Sequence, residues 1–307
     1  MCYSAQVVEA WEVFVAKTGA DISLLDFARL YGMRLLDKSV RIPKAVDAAF
    51  ARSAGDVAEA IRADIDTFNR QQALAWEQEL FKQRRRLADA ERALLSRPTK
   101  SATESQRIAR QKIEWLRQKL ADLRRTDLVP DDSRIFPGWY APVLVAEQGA
   151  KRVMPMRYQC RPAGKPADHD RRFPGTYNAR RDKLEGYWRG LFGRSHAVMP
   201  VRRFYENVRR GDANVVLEFS PADQQPMLVA CLWSRWTGPD GSELLSFAAI
   251  TDEPPPEVAA TGHDRCVIPI KPQHVDAWLN PDPKDLAASY AILDDRERPY
   301  YEHRLAA

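Results

Sequence analysis

The spacing of apolar residues changes near residue 130. Before that point they recur every three or four positions, the period of one face of an α-helix. Val7, Val8, Trp11, Phe14 and Val15, then Leu24, Leu25, Phe27, Leu30, Leu35 and Leu36, predict one or two amphipathic helices over 7–37. Residues 56–125 contain almost no breaker. There Ile61, Ile65, Phe68, Trp76, Leu80, Leu87 and Leu94 are followed by Ile108, Trp115, Leu116, Leu120 and Leu123. Ser96-Arg97-Pro98-Thr99 interrupts the pattern, because proline cannot continue a helix. Two long antiparallel helices joined near Pro98 are predicted.

Beyond Pro130 the apolar runs shorten and loops rich in Gly, Pro and Asp separate them, as in a sheet. Strands are predicted at 141–146, 214–219, 227–233, 243–251 and 267–270. A short helix carrying Val275, Trp278 and Leu279 is predicted to start near Pro272. The class is α+β: a mainly antiparallel curved sheet or barrel with a long inserted α-helical hairpin.

Composition narrows the partners. The chain has 307 residues, 45% of them hydrophobic, so a sizeable core is available. Charged residues make up 29%, and mean hydropathy is −0.49. No apolar run approaches the roughly 18 residues that a membrane-spanning helix needs. The start, MCYSAQVVEAWEVF, lacks a basic segment followed by an apolar one, so the cytoplasm is the expected compartment. The net charge of +5 permits a polyanionic partner without demonstrating one. Cys2, Cys160, Cys231 and Cys266 are spaced neither as a zinc site nor as a disulfide framework. No metal, cofactor or membrane association is expected. Arg84-Arg85-Arg86 and Arg124-Arg125 leave two readings of the hairpin. It is either a solvated helical pair or an added surface for DNA or a partner protein.

Four short segments can carry chemistry. Cys2 follows the initiator methionine, and removal of Met1 would leave an α-amine and a thiol on adjacent carbons. Such an aminothiol condenses with an aldehyde to an imine, and the sulfur then closes a thiazolidine ring. An α-amine of pKa about 7.7–8.0 is partly neutral at pH 7. The thiol is a strong nucleophile even when partly ionised. Read alone, Cys2 is more simply an incidental second residue. Asn178-Ala179-Arg180 offers an amide and a guanidinium that can fork onto a phosphate, or else a simple turn. Glu206, behind Phe204 and Tyr205, is either a carboxyl of raised pKa suited to general acid–base work or a strand-end partner of an arginine. His263 precedes a predicted strand and is either a proton shuttle or a structural imidazole.

Taken together and in this order, these segments resemble the SOS response-associated peptidase family of abasic-site processing proteins. The resemblance rests on Cys2, Asn178-Ala179-Arg180, Tyr205-Glu206, Thr251 and His263-Asp264-Arg265. It covers residues 1–6 and roughly 134–280. It implies a catalytic domain made of 1–15 and 131–307, and a helical insertion at 16–130 whose hairpin occupies about 56–125. It further implies an enzyme of the SOS and DNA-repair response that binds single-stranded DNA containing abasic sites and crosslinks to it through processed Cys2. Lyase-like and autopeptidase activities, the latter removing Met1, come with it. Cys2 would be the nucleophile, and Asn178 would position the N-terminal residue and the sugar. Glu206 would assist imine formation, and His263 would act as acid or base, including in reversal. Arg180, Thr251 and Arg265 would face the DNA, with Trp139, Tyr140 and Tyr158 as candidate stacking residues. On DNA the protein would be nucleoid-associated.

The chain departs from the family's pattern in three places. Cys2-Tyr3-Ser4 stands where many members have Cys-Gly-Arg, which leaves open the phosphate contact made by that arginine. Asn207 replaces a tryptophan, and Cys266-Val267 replaces Met-Pro. Two other functions compete with a DNA crosslinking enzyme. One is a thiol peptidase using Cys2 and His263, and the other is a non-catalytic module binding through the basic hairpin.

Overall fold

The computed structural model describes residues 4–7, 15, 18–211 and 213–306. Two compact units emerge: Met1–Ala58 with Val129–Ala307, and Glu59–Leu128.

Among the described residues, the larger unit is built on one twelve-stranded sheet. Its backbone is β7 (His196–Arg210). β7 pairs antiparallel with β1 (Ser4–Val7), β4 (Tyr140–Glu147), β8 (Ala213–Pro221) and β9 (Met227–Thr237). β4 continues antiparallel to β5 (Ala150–Tyr158), and β9 to β10 (Glu243–Asp252). β10 then runs parallel to β5 and to the short β6 (Asn178–Arg180). β3 (Arg134–Ile135) pairs only with β1, and β12 (Tyr301–Leu305) only with β8, among the described strands. Those edges leave a curved mixed sheet, mainly antiparallel, and not a closed barrel.

β7 changes character part-way. His196 to Val201 are all buried; then the register slips, with Gln6 opposite Arg203 but Val7 opposite Val201. Arg202 is the extra residue of this bulge and is exposed. A bulge re-aims the side chains that follow it. Phe204, Glu206 and Val208 then share one face by the two-residue period of a strand, and Phe204 and Val208 belong to the hydrophobic core. Glu206 is thereby carried into an apolar environment.

The predicted strands at 141–146, 214–219, 227–233 and 243–251 are all present. That at 267–270 shrinks to β11 (Cys266–Val267), because Pro269 lacks the amide a ladder needs. The helix near Pro272 is a 3₁₀ turn followed by a helix over Val275–Leu279. Val7 lies in β1, paired to β7, and not in a helix. Val8, Trp11 and Phe14 lie outside the described residues. The helix Leu24–Leu36 forms, but it buries Phe27, Leu30, Tyr31 and Arg34 and leaves Leu25 and Leu36 exposed. Residues 18–58 cluster with the sheet, tied to it by β2 (Asp21–Ile22) lying parallel to β5. The compact helical unit is accordingly shorter than the 16–130 segment.

That smaller unit is the hairpin. One helix runs Asp56–Ser96 and the other Lys100–Arg124, with Thr99 capping the second by accepting from the Ala102 amide. Arg86 bonded to Ser105, Glu91 to Arg110, and Glu77 to Arg124 fix the antiparallel register. In the second helix Ala102, Ala109, Ile113, Leu116 and Leu120 are buried, spaced as a coiled-coil seam. Trp115 falls off that seam and is exposed.

Candidate active site

Glu206 has no exposed surface, and its carboxylate Oε2 lies 3.0 Å from His263 Nε2. Burial pushes the carboxyl's pKa up, and His263 pulls it partly back. His263 reaches this position from the loop before β11. Gly262, at φ +91°, bends the backbone against Val208 of β7, a conformation that favours glycine. The other ring nitrogen, Nδ1, is 2.9 Å from the Arg265 carbonyl. With Nδ1–H donating to that carbonyl, Nε2 can accept from a protonated Glu206; with Nδ1 accepting from the Arg265 amide at 3.3 Å, Nε2–H can donate to the carboxylate. This is a pair built to hold and move a proton.

The strand Ser4–Val7 runs next to that pair. Ser4 is registered opposite Tyr205, the neighbour of Glu206. Cys2 lies outside the described residues, two positions before Ser4. Two residues of chain span at most about 7 Å. The remaining cysteines are poor nucleophiles. Cys160, Cys231 and Cys266 are buried, and burial pushes their thiols up, to about 12 for Cys160 and Cys266.

β6 supplies a second wall. Asn178, Ala179 and Arg180 pair in register with Ala249, Ile250 and Thr251 of β10. The Asn178 amide is buried, yet neither its nitrogen nor its oxygen has a partner among the described residues. The Thr251 hydroxyl is in the same condition. A buried polar atom left unpaired costs about 1–3 kcal/mol, so such groups point to a ligand or water. Asn178 lines an open groove of about 250 Å³ with Phe173, Thr176, Arg180, Lys183 and Tyr187. Arg180 forms a two-pronged ion pair with Asp182 at 2.8 Å and is nearly half exposed. Asp264 acts electrostatically on Arg180, and Arg265 on Asp182, so the rim joins β6 to the His263 loop.

The structure thus brings Glu206 to His263, pairs Asn178 and Arg180 with the Thr251 end of β10, and links the two groups through Asp264 acting on Arg180 and Arg265 acting on Asp182. It does not leave Tyr158 available for stacking. That ring is fully buried, stacked on Phe247 and edge-on to Tyr177. Trp139 is only half-buried and packs against Phe136. Sequence reasoning missed the exposed groove aromatics Phe173 and Tyr187. It also passed over His169, whose Nε2 is 2.9 Å from the Tyr187 hydroxyl. The Phe-Pro-Gly turn before Asn178 was the available signal. His196, by contrast, is structural: Gly193 N–H donates to its Nε2, Trp278 stacks on it, and burial lowers its pKa to about 3.

A sequence model described as SOS response associated peptidase (SRAP) matches residues 96–304. The chain belongs to the SRAP family. Among curated proteins none matches it. Three solved structures share part of its shape. A Bordetella bronchiseptica protein is 19% identical, with 59% of this chain and 90% of that one covered and a TM-score of 0.47. A Bacteroides thetaiotaomicron protein is 16% identical, with 59% and 80% covered and a TM-score of 0.49. A phage-related protein from Bordetella bronchiseptica is 18% identical, with 60% and 85% covered and a TM-score of 0.43. Among the described residues, no SRAP helix here is long and apolar enough to cross a membrane, and no cluster of His, Cys, Asp and Glu could hold a metal ion.

Proposed function

We propose that this SRAP protein binds single-stranded DNA and captures abasic sites covalently through Cys2 after loss of Met1. The observation that carries this reading is the buried Glu206–His263 proton pair beside the strand that begins two residues after Cys2.

The chemistry balances without a cofactor. The Cys2 α-amine adds to the aldehyde carbon of the ring-opened deoxyribose. The resulting carbinolamine loses water to give an imine, and this step needs a proton delivered to the departing hydroxyl. The Glu206–His263 pair holds such a proton out of water. The Cys2 sulfur then adds to the imine carbon, its proton passes to nitrogen, and a thiazolidine closes. One aldehyde and one aminothiol become one thiazolidine and one water. The raised pKa of Glu206 suits a group that must be a proton donor in one step and an acceptor in the next. Asn178, with amide donors and acceptor unspent, supports a role in holding the sugar or the N-terminal residue. In the same reading, hydrolysis of the Met1–Cys2 peptide uses Glu206 to accept a proton from water.

Incubation with an abasic oligonucleotide followed by denaturing electrophoresis tests this. A shifted band is expected for the wild type and none for Cys2→Ala. An undiminished band in Cys2→Ala, or none in the wild type, overturns the reading. Intact mass of the purified protein should show Met1 absent.

A further inference from the structure

Arg134 occupies an unusual position. It belongs to β3, registered opposite Gln6 of β1. Its Nε donates to the Ser4 hydroxyl at 3.0 Å. Its guanidinium carbon lies 3.7 Å from the centre of the Tyr205 ring and 4.9 Å from that of Phe136. Two aromatic contacts and one hydrogen bond therefore fix the plane of the fork. No described carboxylate lies within ion-pair distance of it. The nearby Glu218 is already engaged by Arg203 and Arg304, and Asp131 acts on Tyr205 from further away.

The aromatics beside the fork are also fixed. Phe136-Pro137-Gly138-Trp139 is a tight turn in which the Trp139 amide donates to the Phe136 carbonyl, with Gly138 at φ +90°. Proline second and a positive-φ glycine third are the chemistry of a type II turn. It brings Phe136 and Trp139 to 5.5 Å, both half-buried. Tyr205 is buried, while Phe136 and Trp139 keep part of their surface exposed, Trp139 packing on the edge of the core. A fixed cation beside partly exposed rings is a combination that binds single-stranded nucleic acid, the cation taking a phosphate and a ring taking a base.

We propose that Arg134 is a phosphate-binding residue, gripping the DNA backbone one or two nucleotides from the carbon attacked by Cys2, with Trp139 stacking the adjacent base. Tyr205 and Glu206 project from opposite faces of β7, so this subsite lies across the strand from the proton pair, on the side where Ser4 points. The proposal rests on the single-stranded DNA reading above, and Ser4 itself brings no charge to this spot.

The test uses full-length protein carrying Cys2→Ala, so that binding is reversible. Its affinity for labelled oligothymidine lacking abasic sites is measured by anisotropy at several salt concentrations. Each phosphate contact on a single strand contributes about 0.7 to the slope of log K against log salt. Arg134→Gln should reduce that slope by about 0.7, and Arg134→Lys, which keeps a cation, should retain it. A purely structural Arg134 would lower the melting temperature of both variants and leave the slope unchanged, which would overturn the proposal. Absence of any oligothymidine binding would overturn it as well. Loss of slope in Arg134→Gln with no abasic adduct from the Cys2 protein would leave the phosphate site standing and remove the crosslinking reading alone.

Discussion

His263 Nε2 and Glu206 Oε2 sit 3.0 Å apart with both side chains withdrawn from water, and neither residue is near the other in sequence. β7 delivers the carboxylate and the loop after Gly262 delivers the ring. General acid–base assistance of this kind is worth about 10²–10⁴ in rate. Glu206→Gln should therefore slow thiazolidine formation at least about 100-fold while leaving affinity for intact single-stranded DNA within about threefold. Quench-timed denaturing gels give the rate, and anisotropy gives the affinity. Parallel loss of both would assign Glu206 to binding or folding instead.

The same carboxyl makes a prediction about stability. Burial raises its folded-state pKa above the unfolded value of about 4.3. Below the unfolded pKa both states are protonated and ionisation costs nothing. As pH rises through the folded value, the native state must hold a buried carboxylate, and stability is lost. Glu206→Gln removes that titration. Its melting temperature relative to wild type should rise as pH increases from the unfolded value through the raised folded one, by roughly 2–4 °C for each 1 kcal/mol. A difference that stays flat with pH would show that His263 fully compensates the buried charge.

The periodicity of the chain revealed most of the architecture and only part of the site. The hairpin was legible because Pro98 interrupts two long helical repeats, and the edge of each helix falls within a few residues of it. The strands around 214–251 were legible from unbroken apolar runs. β7 was not, because Arg202, Arg203 and Pro200 interrupt its apolar pattern, and the bulge at Arg202 has no local signature. Asn178, Glu206 and His263 stood out by chemistry and order. Arg134 carried no such signal: its role depends on Ser4, Phe136 and Tyr205, which only the β1–β3–β7 pairing brings together.

Tyr158 and Trp139 separate core from surface aromatics. Tyr158 is fully buried, whereas Trp139 packs on the edge of the core and keeps part of its surface exposed. Tyr158→Ala should cost about 3–5 kcal/mol of stability, like other large aromatic truncations, and should leave DNA affinity per folded molecule unchanged. Trp139→Ala should instead weaken single-stranded DNA binding by about 1–3 kcal/mol, roughly 5- to 150-fold. Denaturant titration and anisotropy on the same preparations distinguish the two. A Trp139→Ala protein with full affinity would exclude base stacking there.

The hairpin offers a test independent of the site. Gln83 lies buried in the helical pair, its Nε2 donating to Glu79 at 2.7 Å while Oε1 finds no partner among the described residues. Around it the second helix presents the apolar seam of Ile113, Leu116 and Leu120. A buried polar group in such a seam lowers stability while it can fix register. Replacing it by leucine removes an unsatisfied oxygen and adds apolar burial, at the loss of one local hydrogen bond. Gln83→Leu should raise the denaturant midpoint of the helical circular dichroism signal, a gain of about 1 kcal/mol. The exposed ion pairs Glu91–Arg110 and Glu77–Arg124 should matter less, each worth at most about 1 kcal/mol and falling with salt. A lower midpoint for Gln83→Leu would mean that the glutamine secures the pairing register, and that its hydrogen bond to Glu79 outweighs the unpaired oxygen.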